Sequence, residues 1–195
     1  MRHRRGYTLI EMMIVITLIA IVTATAMPHI DYQAGRQDGA ARAVRGALQQ
    51  AQAYAVSSQH EVWVIVDAGK NRVIAVQDPS DSNQYVTTDH YWSIPMQEGA
   101  KLGLGAVSPL PGDAAPTLGV AITTPATIAP GALSSVTTGF VFRADGAVSS
   151  NAQIYITSLR GQARDSRAID VTQATGRVDL YKYNATTGTW VLGGF

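Results

Sequence analysis

Tyr7 to Met27 is a run of 21 residues in which Glu11 is the only charged side chain. This run constrains the chain more than any other feature. As a helix it spans about 31 Å, close to one bilayer core. Arg2, Arg4 and Arg5 precede it. The positive-inside rule keeps that end in the cytoplasm and sends the rest of the chain across. Glu11 is the anomaly. A carboxylate in lipid is costly and ordinarily has a partner.

Three readings compete for this segment. Ala24-Thr25-Ala26 fits the small-x-small site of a cleaved signal peptide, but the run is long and the acid sits at its start. A plain single-pass anchor leaves Glu11 without a partner. The third reading gives Glu11 a positive charge that processing creates. Arg4-Arg5-Gly6-Tyr7-Thr8-Leu9-Ile10-Glu11 resembles the class III signal of type IV prepilins and pseudopilins. The resemblance implies that a prepilin peptidase cuts after Gly6 on the cytoplasmic side and methylates the new amine of Tyr7. Tyr7 stands where the family usually has Phe, and the apolar segment stays with the protein. Glu11 would then pair with the terminal ammonium of a neighbouring subunit and set the stagger of packed helices. The bland alternative is a Glu11 that snorkels to the headgroups. Pro28 removes a hydrogen bond and kinks a helix at an interior turn, where pilins commonly carry a proline. Otherwise it marks only the membrane boundary.

Beyond Pro28 a second helical stretch runs to about Ser58. Ala40, Ala41, Val44, Ala47, Leu48, Ala51 and Ala55 recur at spacings of three and four. That small-residue stripe suits close packing on a sheet, while Arg36, Arg42, Arg45, Gln49 and Gln52 fall largely on other faces. Glu61 to Asp67 and Arg72 to Gln77 read as a hairpin around Ala68-Gly69-Lys70-Asn71. A further strand is expected over Val86 to Ile94. Pro95 to Ser135 is rich in Pro, Gly and Ala and reads as an irregular loop, with a short strand at Val120 to Thr123. Strands follow at Gly139–Arg143, Gln153–Leu159, Arg167–Thr172, Arg177–Tyr183 and Thr189–Leu192.

This order, with its Gly139-Phe140-Val141-Phe142-Arg143-Ala144-Asp145-Gly146 strand and turn and its Thr175-to-Tyr183 strand, is similar to the H-type minor pseudopilins of type II secretion and their FimT/FimU-like relatives. The resemblance implies an α+β, pilin-like fold: a long N-terminal helix on a mainly antiparallel sheet. The expected layout is a leader at 1–6, a transmembrane helix at 7–27, its amphipathic continuation at 28–58 and a periplasmic β-rich domain at 59–195. It further implies an inner-membrane, single-pass protein that works by assembly. Its partners would be prepilin peptidase, other pilins or pseudopilins and inner-membrane lipid.

Composition narrows the chemistry. With no cysteine, disulfides, thiol catalysis, Cys-ligated zinc and iron–sulfur clusters are excluded. Of 15 basic side chains three lie in the leader, leaving 12 against 14 acids. That balance does not suggest a strongly basic nucleic-acid-binding domain. His3, His29, His60 and His90 show no metal-ligand spacing. Gly99 to Gly105 lacks the setting of a phosphate loop, and Asp78 to Asn83 reads as a polar loop rather than a calcium site. No catalytic, cofactor or metal residue is assigned, and no enzyme activity is expected. One cluster supports a rival function. Arg160, Arg164, Arg167 and Arg177 could grip phosphates, as in DNA-uptake pilins of the FimT type. Those carry a Gly-Arg-x-Arg element, and here Gly176-Arg177-Val178-Asp179 replaces its second arginine with an acid. Asp165, Asp170 and Asp179 stand by to neutralise the cluster.

Overall fold

The computed structural model describes residues 7–26, 32–78, 90–111 and 137–193. The chain divides into two compact units, residues 1–32 and 33–195.

Among the described residues the first unit holds the helix α1 (Leu9–Ala26). Its 18 residues extend about 27 Å at 1.5 Å per residue. The expected span also includes Tyr7 and Met27. Among the described residues no helix is by itself long and apolar enough to cross a membrane. Gly6, Pro28 and the expected leader lie outside the described residues.

The second unit is built on α2 (Tyr32–Ser58). Its small-residue stripe is where the spacing placed it. Ala40, Ala41, Val44, Leu48, Ala51 and Ala55 are buried in one cluster with side chains from two antiparallel sheets. The first sheet has the order β3-β2-β1-β5, formed by β1 (Glu61–Asp67), β2 (Arg72–Asp78), β3 (Tyr91–Pro95) and β5 (Thr137–Phe142). It gives Val62, Val64, Val66, Val73, Ala75, Phe140 and Phe142 to the cluster. The second sheet has the order β4-β6-β7-β8-β9, formed by β4 (Ala100–Leu102), β6 (Ala152–Ser158), β7 (Arg167–Val171), β8 (Val178–Asn184) and β9 (Thr189–Leu192). It adds Ile154, Ile156, Ile169, Val171, Val178 and Leu180. Alternation along each strand sends these residues inward and their neighbours to the opposite face. Mostly alanine on α2 lets the helix backbone approach both sheets closely.

Two details depart from the expectation. The β-domain is split into two sheets, and β4 lies inside the stretch expected to be irregular. Leu102 and Ala100 pair with Ile156 and Ser158 of β6. The other edge of β4 is met by Asn71, whose carboxamide donates to Ala100 O and accepts the Leu102 N–H, both at 2.8 Å. Asn71 is the last residue of the β1–β2 turn and has φ 53°, a left-handed conformation that Asn tolerates. One turn residue therefore closes the hairpin and joins the two sheets. The described part of the expected third strand is Tyr91–Pro95. Residues 79–89 and 112–136, including the expected strand at Val120 to Thr123, lie outside the described residues.

At the C-terminal end of α2, Gln52 Nε2 donates to Gly146 O and Thr175 O, each at 2.9 Å. Gly176 sits in this junction with φ 63°, and a Cβ there would strike the Gly146 carbonyl and the Gln52 amide. Gly161 has nearly the same φ, 65°, with nothing within 4 Å of its would-be Cβ. Gly161→Ala should therefore cost only backbone strain, about 1 kcal/mol. Gly176→Ala adds overpacking and should cost about 3 kcal/mol. Urea unfolding of the two variants checks this, and equal losses would contradict the packing account.

Candidate assembly site

Thr8 opens α1. Its hydroxyl accepts the Glu11 N–H at 3.2 Å, and its carbonyl accepts the Met12 N–H at 3.2 Å. Thr8 is thus the N-cap and Glu11 occupies the third helical position. Thr-x-x-Glu is the sequence of a capping box, a signal that reading Glu11 only as a lone acid overlooks. The acid also sits at the positive end of the helix dipole. Glu11 therefore has a local helix-stabilising role as well as any role between chains.

The rest of α1 satisfies its own polar groups. Thr17 Oγ1 donates to Met13 O at 2.6 Å and Thr23 Oγ1 to Ile19 O at 2.7 Å. Hydroxyls bonded back to the preceding turn need neither water nor a partner. The apolar side chains have no cover. From Leu9 to Val22 every large one is exposed, from 45% at Val15 to 80% at Leu9. They lie on all sides of the helix. A helix that is apolar all round is buried in a core or in a membrane.

The four arginines do not form one exposed cluster. Arg167 is fully buried. Its Nε donates to Asp38 of α2 at 2.5 Å, and its Nη1 to the carbonyls of Arg164 and Ser166, both at 2.9 Å. It pins the second sheet to α2 and has no surface from which to reach a phosphate. Arg160 clasps Asp165 with two hydrogen bonds of 2.6 and 2.8 Å. Asp165 is buried and also accepts from Ser158 at 2.5 Å. The Arg160 bond holds its carboxyl below the usual range, against the effect of burial. Arg177 is exposed and paired with Asp179, Nε to Oδ2 at 2.7 Å. Asp179 faces Asp170 across β7 and β8. Burial raises the Asp170 carboxyl, and the nearby Asp179 charge adds to the rise. The surroundings of Arg177 are thus anionic. Arg164 is exposed, with its Nε on Gln162 Oε1 at 2.9 Å. Asp165 and Asp179 partner arginines as expected, but the partner of Arg167 is Asp38.

His90 lies in an aromatic cluster, 5.5 Å from Tyr54 and 5.6 Å from Trp92 between ring centres. Gly99 and Gly103 flank β4 as turn residues with positive φ. Among the described residues no three His, Cys, Asp or Glu side chains converge as a metal site. On the face of the second sheet away from α2, Tyr155 O–H donates to Gln153 at 2.6 Å and accepts the Leu110 N–H at 2.8 Å. This ties residues around Leu110 over the sheet.

Two family models match. A prokaryotic N-terminal methylation motif covers residues 1–27, and type II transport protein GspH covers residues 40–175. No curated protein matches. Among solved structures, the minor pseudopilin EpsH from the type 2 secretion system of Vibrio cholerae is 15% identical, with a TM-score of 0.48 over 75% of this chain and 97% of that one. The type IV minor pilin FimU of Pseudomonas aeruginosa is 15% identical, with a TM-score of 0.46 over 75% and 88%.

Proposed function

Because this chain belongs to the GspH family of type II transport proteins, we propose that it is a minor pseudopilin. It serves as an assembly subunit of a type II secretion pseudopilus and has no chemistry of its own. Prepilin peptidase removes residues 1–6 after Gly6 and methylates the amine of Tyr7. Residues 7–27 anchor the chain in the inner membrane, with the domain on the periplasmic side. On assembly the chain passes from lipid into a bundle of pilin helices. There Glu11 meets the terminal ammonium of a neighbour, and a kink at Pro28 shapes the helix as it leaves the bilayer.

The observation that carries this reading is α1 itself. Its apolar side chains stand uncovered on every side, its threonines are satisfied internally, and its one charge is fixed in the first turn. Such a helix fits first lipid and then other helices of the same kind. The domain, by contrast, closes its own core. The DNA-uptake reading draws less support. Arg160, Arg167 and Arg177 are each engaged by a carboxylate.

Deleting the gene from its cell is the test. The proposal expects loss of type II secretion with surface pili retained. Loss of pili with secretion intact would move the subunit to a type IV pilus.

A further inference from the structure

Among the described residues the two sheets have four edge strands, β3, β4, β5 and β9. A free edge presents unpaired N–H and C=O groups and invites another strand. Three of the four are blunted. The Asn71 carboxamide takes the edge of β4 at Ala100 and Leu102. Ser149 takes the edge of β5 at Val141. Its Oγ accepts the Val141 N–H at 3.0 Å, and its own N–H donates to the Val141 carbonyl at 2.9 Å. β3 ends in Pro95, which has no N–H.

β9 has no such device. Gly193 N–H donates to Leu180 O at 2.7 Å. In the β8–β9 register, Gly193 and Val191 therefore turn their backbone groups to β8, while Trp190 and Leu192 turn theirs away. No described residue meets the outward groups of those two. The strand is Thr189-Trp190-Val191-Leu192, without charge or proline. Val191 and Leu192 are half exposed, at 50% and 58%. Val191 lies on the α2 side of the sheet. Trp190 and Leu192 lie on the other side, where the indole packs beside Tyr155 and Tyr183 at ring-centre distances of 5.8 and 5.1 Å.

This edge is complementary to itself. Two copies of β9, antiparallel about a two-fold axis at Val191, set each Trp190 opposite the Leu192 of the other copy. These are the outward-turned residues, so each pair exchanges two hydrogen bonds. Val191 meets its own counterpart as a non-hydrogen-bonded pair, with Cα atoms about 4.5 Å apart. On the far face each Leu192 lies against an indole already fixed in place, a favourable cross-strand pair. No charge on β9 opposes its own copy. A slip by one residue would set outward groups against inward ones and lose the ladder.

We propose that β9 docks on β9 of a second copy in this register, joining the second sheets of two domains into one. A contact four residues long is small against the roughly 1,200 Å² of a stable interface, so the pair is weak and reversible. A two-fold contact closes on itself and cannot repeat head to tail along a fibre. On the assembly reading above, the pair is therefore a state of the subunit outside the fibre.

The chain has no cysteine, so single cysteines report the register directly. The full chain is purified in excess detergent micelles and oxidised. Val191→Cys should crosslink to its counterpart about tenfold faster than Thr189→Cys, on the same face of the same strand. Thr189 and its counterpart are offset by four residues, about 13 Å, beyond the about 7 Å that a disulfide bridges. Leu192→Pro removes an outward N–H that β8 does not use. Leu192→Glu keeps that N–H and sets a carboxylate against the indole, which covers the case in which proline disturbs β9. Each, added to Val191→Cys, should slow crosslinking about tenfold. Equal rates at 191 and 189, a faster rate at 189, or a 191 rate indifferent to both Leu192 variants overturns the pairing and leaves the assembly reading untouched. Recovery of the 191 crosslink within sheared fibres overturns the place of the pair outside the fibre.

Discussion

Glu11→Ala and Glu11→Gln should both be cleaved after Gly6 as usual, and both should fall out of the fibre by about two to four orders of magnitude. The figure follows from breaking a buried ion pair, about 3–5 kcal/mol for removal of one partner. The pair of variants matters because Glu11 has two candidate roles. It occupies the capping-box position with Thr8, and it is the charge proposed to meet a neighbour's ammonium. A glutamine serves a capping box nearly as well as a glutamate but carries no charge. If Gln assembles normally while Ala fails, Glu11 acts within its own helix, and the intersubunit pair is wrong. If both fail, the charge is what assembly needs. The check is the fraction of each variant in sheared fibres, with total membrane protein as reference.

The second large effect lies in the domain. Arg167→Ala should destabilise it by about 3–5 kcal/mol, leaving Asp38 without its cation and the Arg164 carbonyl without the guanidinium donor, while the Ser166 carbonyl keeps the Tyr183 N–H at 3.2 Å. Asp38 is partly exposed, with its side chain at 19%, so water can take over some of its solvation and the lower end is expected. Arg167→Lys should recover little, because a single ammonium cannot serve three acceptors spread across a guanidinium fork. Changing Asp38 and Arg167 together to apolar residues of similar volume should restore most of the loss. Urea unfolding of the four proteins reads these differences. A loss below about 1 kcal/mol for Arg167→Ala, the range of a surface pair, would show that the pair is not holding α2 to the sheet.

The sequence was readable where a local period carried the structure. The alanine stripe of α2 repeats at helical spacing, and its residues at 40, 41, 44, 48, 51 and 55 are buried as the period requires. The β1–β2 hairpin announces itself by β-branched residues around a Gly-Lys-Asn turn. What depended on distant partners was not readable. Arg167 looked like one of a run of exposed arginines, yet its burial is decided by Asp38, 129 positions away. Gln52 looked like a surface residue and instead ties two loops through carbonyls at Gly146 and Thr175. The three residues of β4 sit among glycines and prolines, and only pairing with β6 and the Asn71 carboxamide makes them a strand. For α1 the single acid was conspicuous, but its Thr8 cap was in plain view and missed.

The central claim is that α1 stays with the protein and carries a charge made by processing. The most direct measurement is the intact mass of the chain extracted from membranes. The account predicts a chain that begins at N-methylated Tyr7 and retains α1 and Glu11. A chain that begins at Met27 and is recovered from the soluble fraction would contradict it, since the helix and its acid would have been discarded before any assembly.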